Sequence, residues 1–186
     1  MSPALNWSTN ARVALPAALI LLVEYARALA GHVHGLEVAA LVAGGLGLGL
    51  VALGRPPREL GLGTDRLPAR LLGGLGLAAV LLLPAAARWH GGPVLAPPWS
   101  LAAVAVSVGE ELAFRGALFA ALEEAGGGVA AVLGSTLLWT AAHALTHPPA
   151  FLVAVAAAGL LLGAWRLVAR DLVGPIVGHV IADLAL

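Results

Sequence analysis

The chain has 186 residues and equal numbers of acidic and basic side chains, so its formal net charge is zero and nothing in its charge favours a nucleic-acid partner. It is 60% hydrophobic and 11% charged, with a mean hydropathy of +0.95, whereas soluble domains average about 25% charged residues. Because there is no cysteine, disulfides and thiolate chemistry are excluded. We therefore expect an all-α, polytopic transmembrane helix bundle in a lipid bilayer.

A helix needs about 20 apolar residues to cross the hydrocarbon core. By that measure we predict about seven helical segments, the last of them short. They cover residues 13–30, 37–54, 71–89, 99–122, 129–145, 150–168 and 172–186. The first segment resembles a secretory signal, but Glu24 and Arg27 near its end and the further apolar segments argue against cleavage.

The longest polar stretch is residues 55–70, whose prolines and glycines predict a loop. It divides the chain into an N-terminal helical pair with its loop, 1–70, and a membrane helix bundle, 71–186, in which we expect the catalytic residues. Arginines are concentrated in this loop and recur at the end of the sixth segment. Because basic residues favour the cytoplasmic side, we predict that the N-terminus lies inside.

Residues 109–116 read Gly-Glu-Glu-Leu-Ala-Phe-Arg-Gly and place three charges in an otherwise apolar stretch. A charged group at membrane depth costs at least about 2.5 kcal/mol, so such residues are usually functional. Glu111 and Arg115 are one helical turn apart and can pair. Glu110 points about 100° away from Glu111 and is free to act as a general base. The alternative is a buried ion-pair network that only fixes helix packing.

Two further segments carry ionisable groups. His143 lies near the end of the fifth segment, and His179 and Asp183 are spaced i,i+4 on the last one, where they can face each other. Each alone could be a packing residue. Together with the glutamates they form a set of groups that can activate water. Ser107 and Ser135 have no base near them in sequence, so direct attack by water is favoured over a covalent nucleophile.

The remaining charged residues predict no chemistry. Glu24 and Arg27, three residues apart on the first helix, are expected to neutralise each other near an interface, and the first two helices are expected to contribute nothing to a site. Glu123 and Glu124 precede a run of glycines at 126–128 and predict a solvated turn.

Taken in order, three motifs within residues 99–186 resemble those of the CPBP family of intramembrane glutamic-type proteases. They are Glu-Glu-x-x-x-Arg at 110–115, aromatic-x-x-x-His at 139–143 and His-x-x-x-Asp at 179–183. That family includes the CAAX prenyl endopeptidases and Abi-like, bacteriocin-processing relatives. The resemblance implies an endopeptidase that hydrolyses a peptide bond of a membrane-associated or membrane-anchored protein or peptide with water activated by glutamate and histidine.

The resemblance also implies roles for six residues. Glu110 and His143 would position and activate the water, Glu111 and Arg115 would hold the geometry and charge of the site, and His179 and Asp183 would stabilise the oxyanion. The family often has Phe where this chain has Trp139, a change that keeps an aromatic wall. It often has Asn where this chain has Asp183. Because an ionised Asp cannot donate a hydrogen bond, we expect Asp183 to orient His179.

We expect no cofactor, because the chain lacks the His-Glu-x-x-His pattern of zinc proteases. If a metal were present, Zn²⁺ would be held by Glu110, His143 and His179. In a chain of bacterial appearance, bacteriocin-like peptides or C-terminal sorting tails are better substrates than prenylated proteins, and the inner (cytoplasmic) membrane is the expected location.

Two other classes of function remain open at this point. Buried Glu, His and Asp also line ion pathways, so the chain could be a transporter or proton relay, although it lacks the inverted repeats typical of transporters. It could also be a non-catalytic scaffold or immunity protein that binds a partner through the same cavity.

Overall fold

A computed structural model describes residues 9–86 and 95–185, and it is helical almost throughout. The elements are α1 (Thr9–Gly31), α2 (Glu37–Leu50), α3 (Leu67–Ala86), α4 (Pro97–Glu110), a π-helical segment (Glu111–Leu118), α5 (Phe119–His143), α6 (Pro149–Ala169) and α7 (Val173–Ala185). Within these described ranges there is no β-strand. The prediction of an all-α bundle is confirmed.

One helical path, Pro97–His143, comprises α4, the π-segment and α5. It is broken at Gly127, whose φ of 81° and ψ of 176° lie in a region that glycine tolerates best. A Cβ on Gly134 would lie 2.9 Å from Cδ1 of Leu122, so the two arms of the path fold back on each other. The turn expected at the glycine run is therefore present, and the path contains the fourth and fifth predicted segments.

Among the described residues, three helical paths are long and apolar enough to cross a membrane: Ala11–Gly31, Pro97–His143 and Pro149–Ala169. By contrast, α2 has 14 residues and α7 has 13. At 1.5 Å per residue these two helices are about 20 Å long, which is less than the roughly 30 Å of a hydrocarbon core. Those two predicted segments are therefore helical but not full spans.

The start of α3 differs from the prediction. α3 begins at Leu67, four residues before the predicted start, because Pro68 occupies its first turn, where the missing N–H costs nothing. The predicted end of this helix, at residue 89, and the last residue of the chain lie outside the described residues.

Close backbone contacts fix two helix pairs. A Cβ on Gly45 of α2 would lie 2.3 Å from the carbonyl oxygen of Ala105 in α4, and one on Gly109 would lie 2.0 Å from the Gly45 oxygen. In the same way, a Cβ on Gly178 of α7 would lie 2.8 Å from Cβ of Leu77 in α3. Small residues let membrane helices approach this closely. Gly109 directly precedes Glu110, so its contact with Gly45 fixes the position of that glutamate.

The loop between α2 and α3 is bound to the start of α7. The backbone N–H of Leu172 donates to the Gly61 carbonyl at 3.1 Å. Arg70 Nη1 donates to Asp171 Oδ1 at 3.1 Å, and the Asp171 carboxylate accepts the N–H groups of Val173 and Gly174, both at 2.9 Å. Asp171 thus caps α7. The arginine-rich loop therefore helps to hold the start of α7 in place.

Replacing Gly45 with Ala should destabilise the protein by about 1–3 kcal/mol, because the added methyl meets backbone atoms that cannot move aside cheaply. The measurement is thermal unfolding in detergent. The control is Gly76→Ala in α3, where an added Cβ meets nothing within 4 Å; that variant should be as stable as the wild type or more so. Equal melting temperatures for the two variants would show that α2 and α4 are not in this contact.

Candidate active site

The Glu-Glu-x-x-x-Arg motif lies where the path changes from α-helix to π-helix, at Glu111. Short π-helical stretches are rare and often occur at functional sites. At the end of this segment the Phe119 N–H bonds to the carbonyls of Phe114 and Gly116. The Arg115 carbonyl accepts instead from Nε of Arg166 on α6, at 3.2 Å. A buried arginine therefore supports the irregular backbone.

Four of the expected residues form a chain of polar contacts. Arg115, fully buried, donates from Nη1 to Glu111 Oε1 at 2.9 Å. The same oxygen lies 3.0 Å from His179 Nδ1, and His179 Nε2 lies 3.5 Å from Asp183 Oδ2. The i,i+4 pairs expected for Glu111 with Arg115 and for His179 with Asp183 are both present, and Glu111 joins them.

The indole of Trp139 contacts four of the six candidate residues. Its Nε1 donates to Glu110 Oε2 at 2.6 Å. Arg115 Cζ lies 4.0 Å from the centre of its ring, a cation–π contact. The His143 and His179 rings meet it edge-on, with centroid distances of 4.7 and 5.5 Å. The sequence predicts only an aromatic wall at Trp139, and its hydrogen bond to Glu110 was not predicted.

His143 is held in one tautomer by its own helix. Its Nδ1 lies 3.0 Å from the Trp139 carbonyl oxygen, which can only accept, so Nδ1 carries the proton. In the neutral ring this leaves Nε2 with a lone pair. That nitrogen can accept a proton from a bound water or substrate.

A cavity of about 470 Å³ lies between α3, α5, α6 and α7, within the usual range for ligand pockets. Its wall is mostly apolar, with Val80 and Phe151 among the lining residues. The polar part of the wall is formed by Trp139, His143, His179 and Asp183. The carboxylate of Glu110 is buried and reaches the Trp139 indole, and Glu110 is not among the residues that line the cavity.

The expectation that α1 contributes nothing to the site is wrong. Glu24 is 2% exposed and accepts from Arg27 Nε at 3.1 Å, so the two residues do pair, but inside the bundle. Arg27 Nη2 lies 3.8 Å from Glu110 Oε1. The sequence contains a signal for this position: Glu24 and Arg27 are charges in an apolar helix, and charged residues at membrane depth are usually functional.

Among the described residues, the site has no preformed set of metal ligands. In the part of the chain that the structure describes, no group of three His, Asp or Glu side chains is placed to hold a metal ion. The three candidate zinc ligands, Glu110, His143 and His179, each contact Trp139.

Comparison with known families gives the identification. Residues 92–185 match the family model described as type II CAAX prenyl endopeptidase Rce1-like. The chain belongs to this family. It is therefore a protease, a hydrolase, and its long apolar helices agree with an integral membrane protein. The resemblance inferred from the three motifs is confirmed, and all three lie inside the matched region. No curated protein and no solved structure matches the chain.

Trp139→Phe should destabilise the Rce1-like chain by about 1.5–3 kcal/mol, because a buried carboxylate loses its donor while the aromatic packing is kept. The measurement is thermal unfolding in detergent, with Trp99→Phe as the control since Trp99 is exposed. If the two substitutions cost the same, the indole of Trp139 does not bind Glu110 in the folded protein.

Proposed function

We propose that this Rce1-like protein is an intramembrane endopeptidase that hydrolyses a peptide bond of a membrane-anchored protein or peptide, with water as the nucleophile. The observation that carries the proposal is the pair of imidazoles, His143 and His179, in the wall of one apolar cavity. Both histidines lie in the region that matches a protease family. The imidazoles supply proton acceptors and donors in the cavity wall, where the reacting atoms would lie.

In this proposal Glu110 and His143 activate the water. Both contact Trp139, Glu110 through its carboxylate and His143 through its ring. The water gives its proton to this pair and its oxygen adds to the carbonyl carbon. The C–N bond then breaks, and the same proton passes to the leaving amine. Glu110 must be released from the Trp139 N–H, or act through a bridging water, because the indole occupies Oε2.

His179 is proposed to stabilise the oxyanion, with Glu111 and Arg115 fixing its ring. Placed donors of this kind are commonly worth several kcal/mol in the transition state. Glu111 Oε1 lies 3.0 Å from His179 Nδ1, and Arg115 balances the charge of Glu111. Nε2 is then the nitrogen that can turn to substrate. Asp183, 3.5 Å from Nε2, orients the ring.

The substrate is proposed to bring an apolar anchor into the cavity. Small side chains of α6, Ala154, Ala157 and Ala158, line it beside Phe151 and leave room for a lipid or an aliphatic chain. We propose bacteriocin-like peptides or C-terminal sorting tails as substrates. The family description names prenyl substrates, so a prenylated tail and an unmodified hydrophobic tail are the two forms to compare.

The proposed setting is a bacterial inner membrane with the N-terminus inside. Arg58 of the loop and Arg166 and Arg170 at the end of α6 lie around one small surface pocket, which Glu59, Glu123 and Glu124 also line. Arginines gathered at one end of the bundle favour the cytoplasmic side, because acidic residues contribute little to this preference. We also propose that hydrolysis needs no metal.

Glu110→Gln should reduce cleavage by about 10²–10⁴-fold, because an amide cannot take the proton of the water. The measurement compares membrane proteomes of cells with wild-type and variant protein for an uncleaved precursor, followed by cleavage of that precursor by purified protein. Glu37→Gln, at a half-exposed glutamate of α2, is the matched control.

Two outcomes would contradict the proposal. If Glu110→Gln leaves precursor processing intact, the chain acts as a scaffold and not through this glutamate. If processing by purified protein stops in 1,10-phenanthroline and returns with added Zn²⁺, the metal-free part is wrong.

Asp183→Asn should keep most of the activity. The Ser107 hydroxyl lies 2.7 Å from both the Ala103 carbonyl and Asp183 Oδ2, and its single proton can serve only one of them. An Asn side-chain oxygen in the place of Oδ2 could still accept from the Ser107 hydroxyl and face His179 Nε2. Asp183→Leu should lose activity under the same cleavage assay. Loss of cleavage in both variants would give the carboxylate a role beyond orientation.

A further inference from the structure

Glu110 is held from two sides by different helices. Oε2 accepts the Trp139 N–H of α5 at 2.6 Å, while Oε1 faces Arg27 Nη2 of α1 at 3.8 Å. A hydrogen bond at one oxygen leaves the carboxylate free to swing about that contact. A positive charge beside the other oxygen removes this freedom. The distance of 3.8 Å is too long for a hydrogen bond, so Arg27 acts on Glu110 through its charge.

Glu24 keeps the Arg27 side chain in place. It is three residues earlier on α1 and accepts from both Nε and Nη2 of Arg27 through the same oxygen, Oε2. Two donors to one carboxylate fix the direction of the guanidinium plane. The carboxylates of Glu24 and Glu110 both lie near Nη2 of Arg27, so each has a neighbouring positive charge.

Gly44 of α2 leaves the space that the Arg27 side chain occupies. A Cβ on Gly44 of α2 would lie 2.5 Å from Cδ and 2.9 Å from Cγ of Arg27. Any larger residue at this position would displace the arginine stem. An ion pair that only neutralised charge would need no such opening in the neighbouring helix, because Arg27 and Glu24 are on the same helix and could pair on its surface.

We propose that Arg27, fixed by Glu24, is a positioning residue for Glu110, so that α1 completes the active site of the endopeptidase from outside the region that the family model matches. The inference rests on the proposed function of Glu110. Its structural part, the contact between Arg27 and Glu110, stands without that function and can be tested separately.

The first test is spectroscopic and needs no substrate. The chain has five tryptophans, so ¹⁵N-labelled protein in detergent gives few indole signals, and Trp139→Phe assigns the one of interest. In Arg27→Gln the Trp139 indole signal should move, because its acceptor Glu110 reorients. In Arg12→Gln, at an exposed arginine of the same helix, it should not move. An unmoved Trp139 signal in Arg27→Gln would overturn the proposal.

The second test is kinetic and uses the precursor identified through Glu110. Arg27→Gln should lower kcat about tenfold or more while KM stays within about twofold, since the cavity that binds substrate is untouched. Arg27→Lys should restore part of kcat because it restores the charge. An unchanged kcat in Arg27→Gln, or a loss that lies only in KM, would contradict a positioning role.

A third variant covers the case in which Arg27→Gln does not fold. Gly44→Ala keeps every charge and displaces only the arginine stem. It should move the Trp139 indole signal and lower kcat in the same direction, and if it does neither, Arg27 does not position Glu110. If no precursor is cleaved by wild-type protein, the proposed function fails, and the indole signals still decide whether Arg27 holds Glu110.

Discussion

The hydrogen bond from the Trp139 indole to the Glu110 carboxylate is the contact on which the rest of the site depends. A carboxylate buried in a membrane bundle is costly unless it has a donor and a nearby positive charge. The indole supplies the donor at Oε2, and its ring face carries the Arg115 guanidinium. The same ring meets the edges of both site histidines. One rigid side chain thus sets the distances among groups from α4, the π-segment, α5 and α7.

The site has a buried part and a cavity part. Behind Trp139, guanidinium and carboxylate groups alternate, so that Glu24, Glu110 and Glu111 each have a positive neighbour. In front of it, the histidines face an apolar space. Glycine contacts between helices hold the two parts in register, because they leave the backbones no room to slide. A Cβ on Gly159 of α6, for example, would lie 3.2 Å from Cε3 of Trp139.

Local patterns predicted much of this arrangement, and contacts between helices account for the rest. The length of the apolar runs predicted the helices, and the i,i+4 spacing predicted the pairing of Glu111 with Arg115. Both predictions depend only on residues close in sequence. Neither pattern says which helices face each other, so the approach of Arg27 to Glu110 was missed. The π-segment was also missed, because it needs support from Arg166, some fifty positions away. The division of the chain at residue 70 stays a prediction.

A double-mutant cycle on Glu110 and His143 tests most directly whether the two residues act on one water. Single-turnover cleavage rates are measured for Glu110→Gln, for His143→Ala and for the double variant. If both residues serve one water, the double variant should be about as slow as the slower single variant, since either change already disables the shared step. If the two rate losses multiply instead, the residues act independently, and the water-activating pair proposed for this Rce1-like protein is wrong.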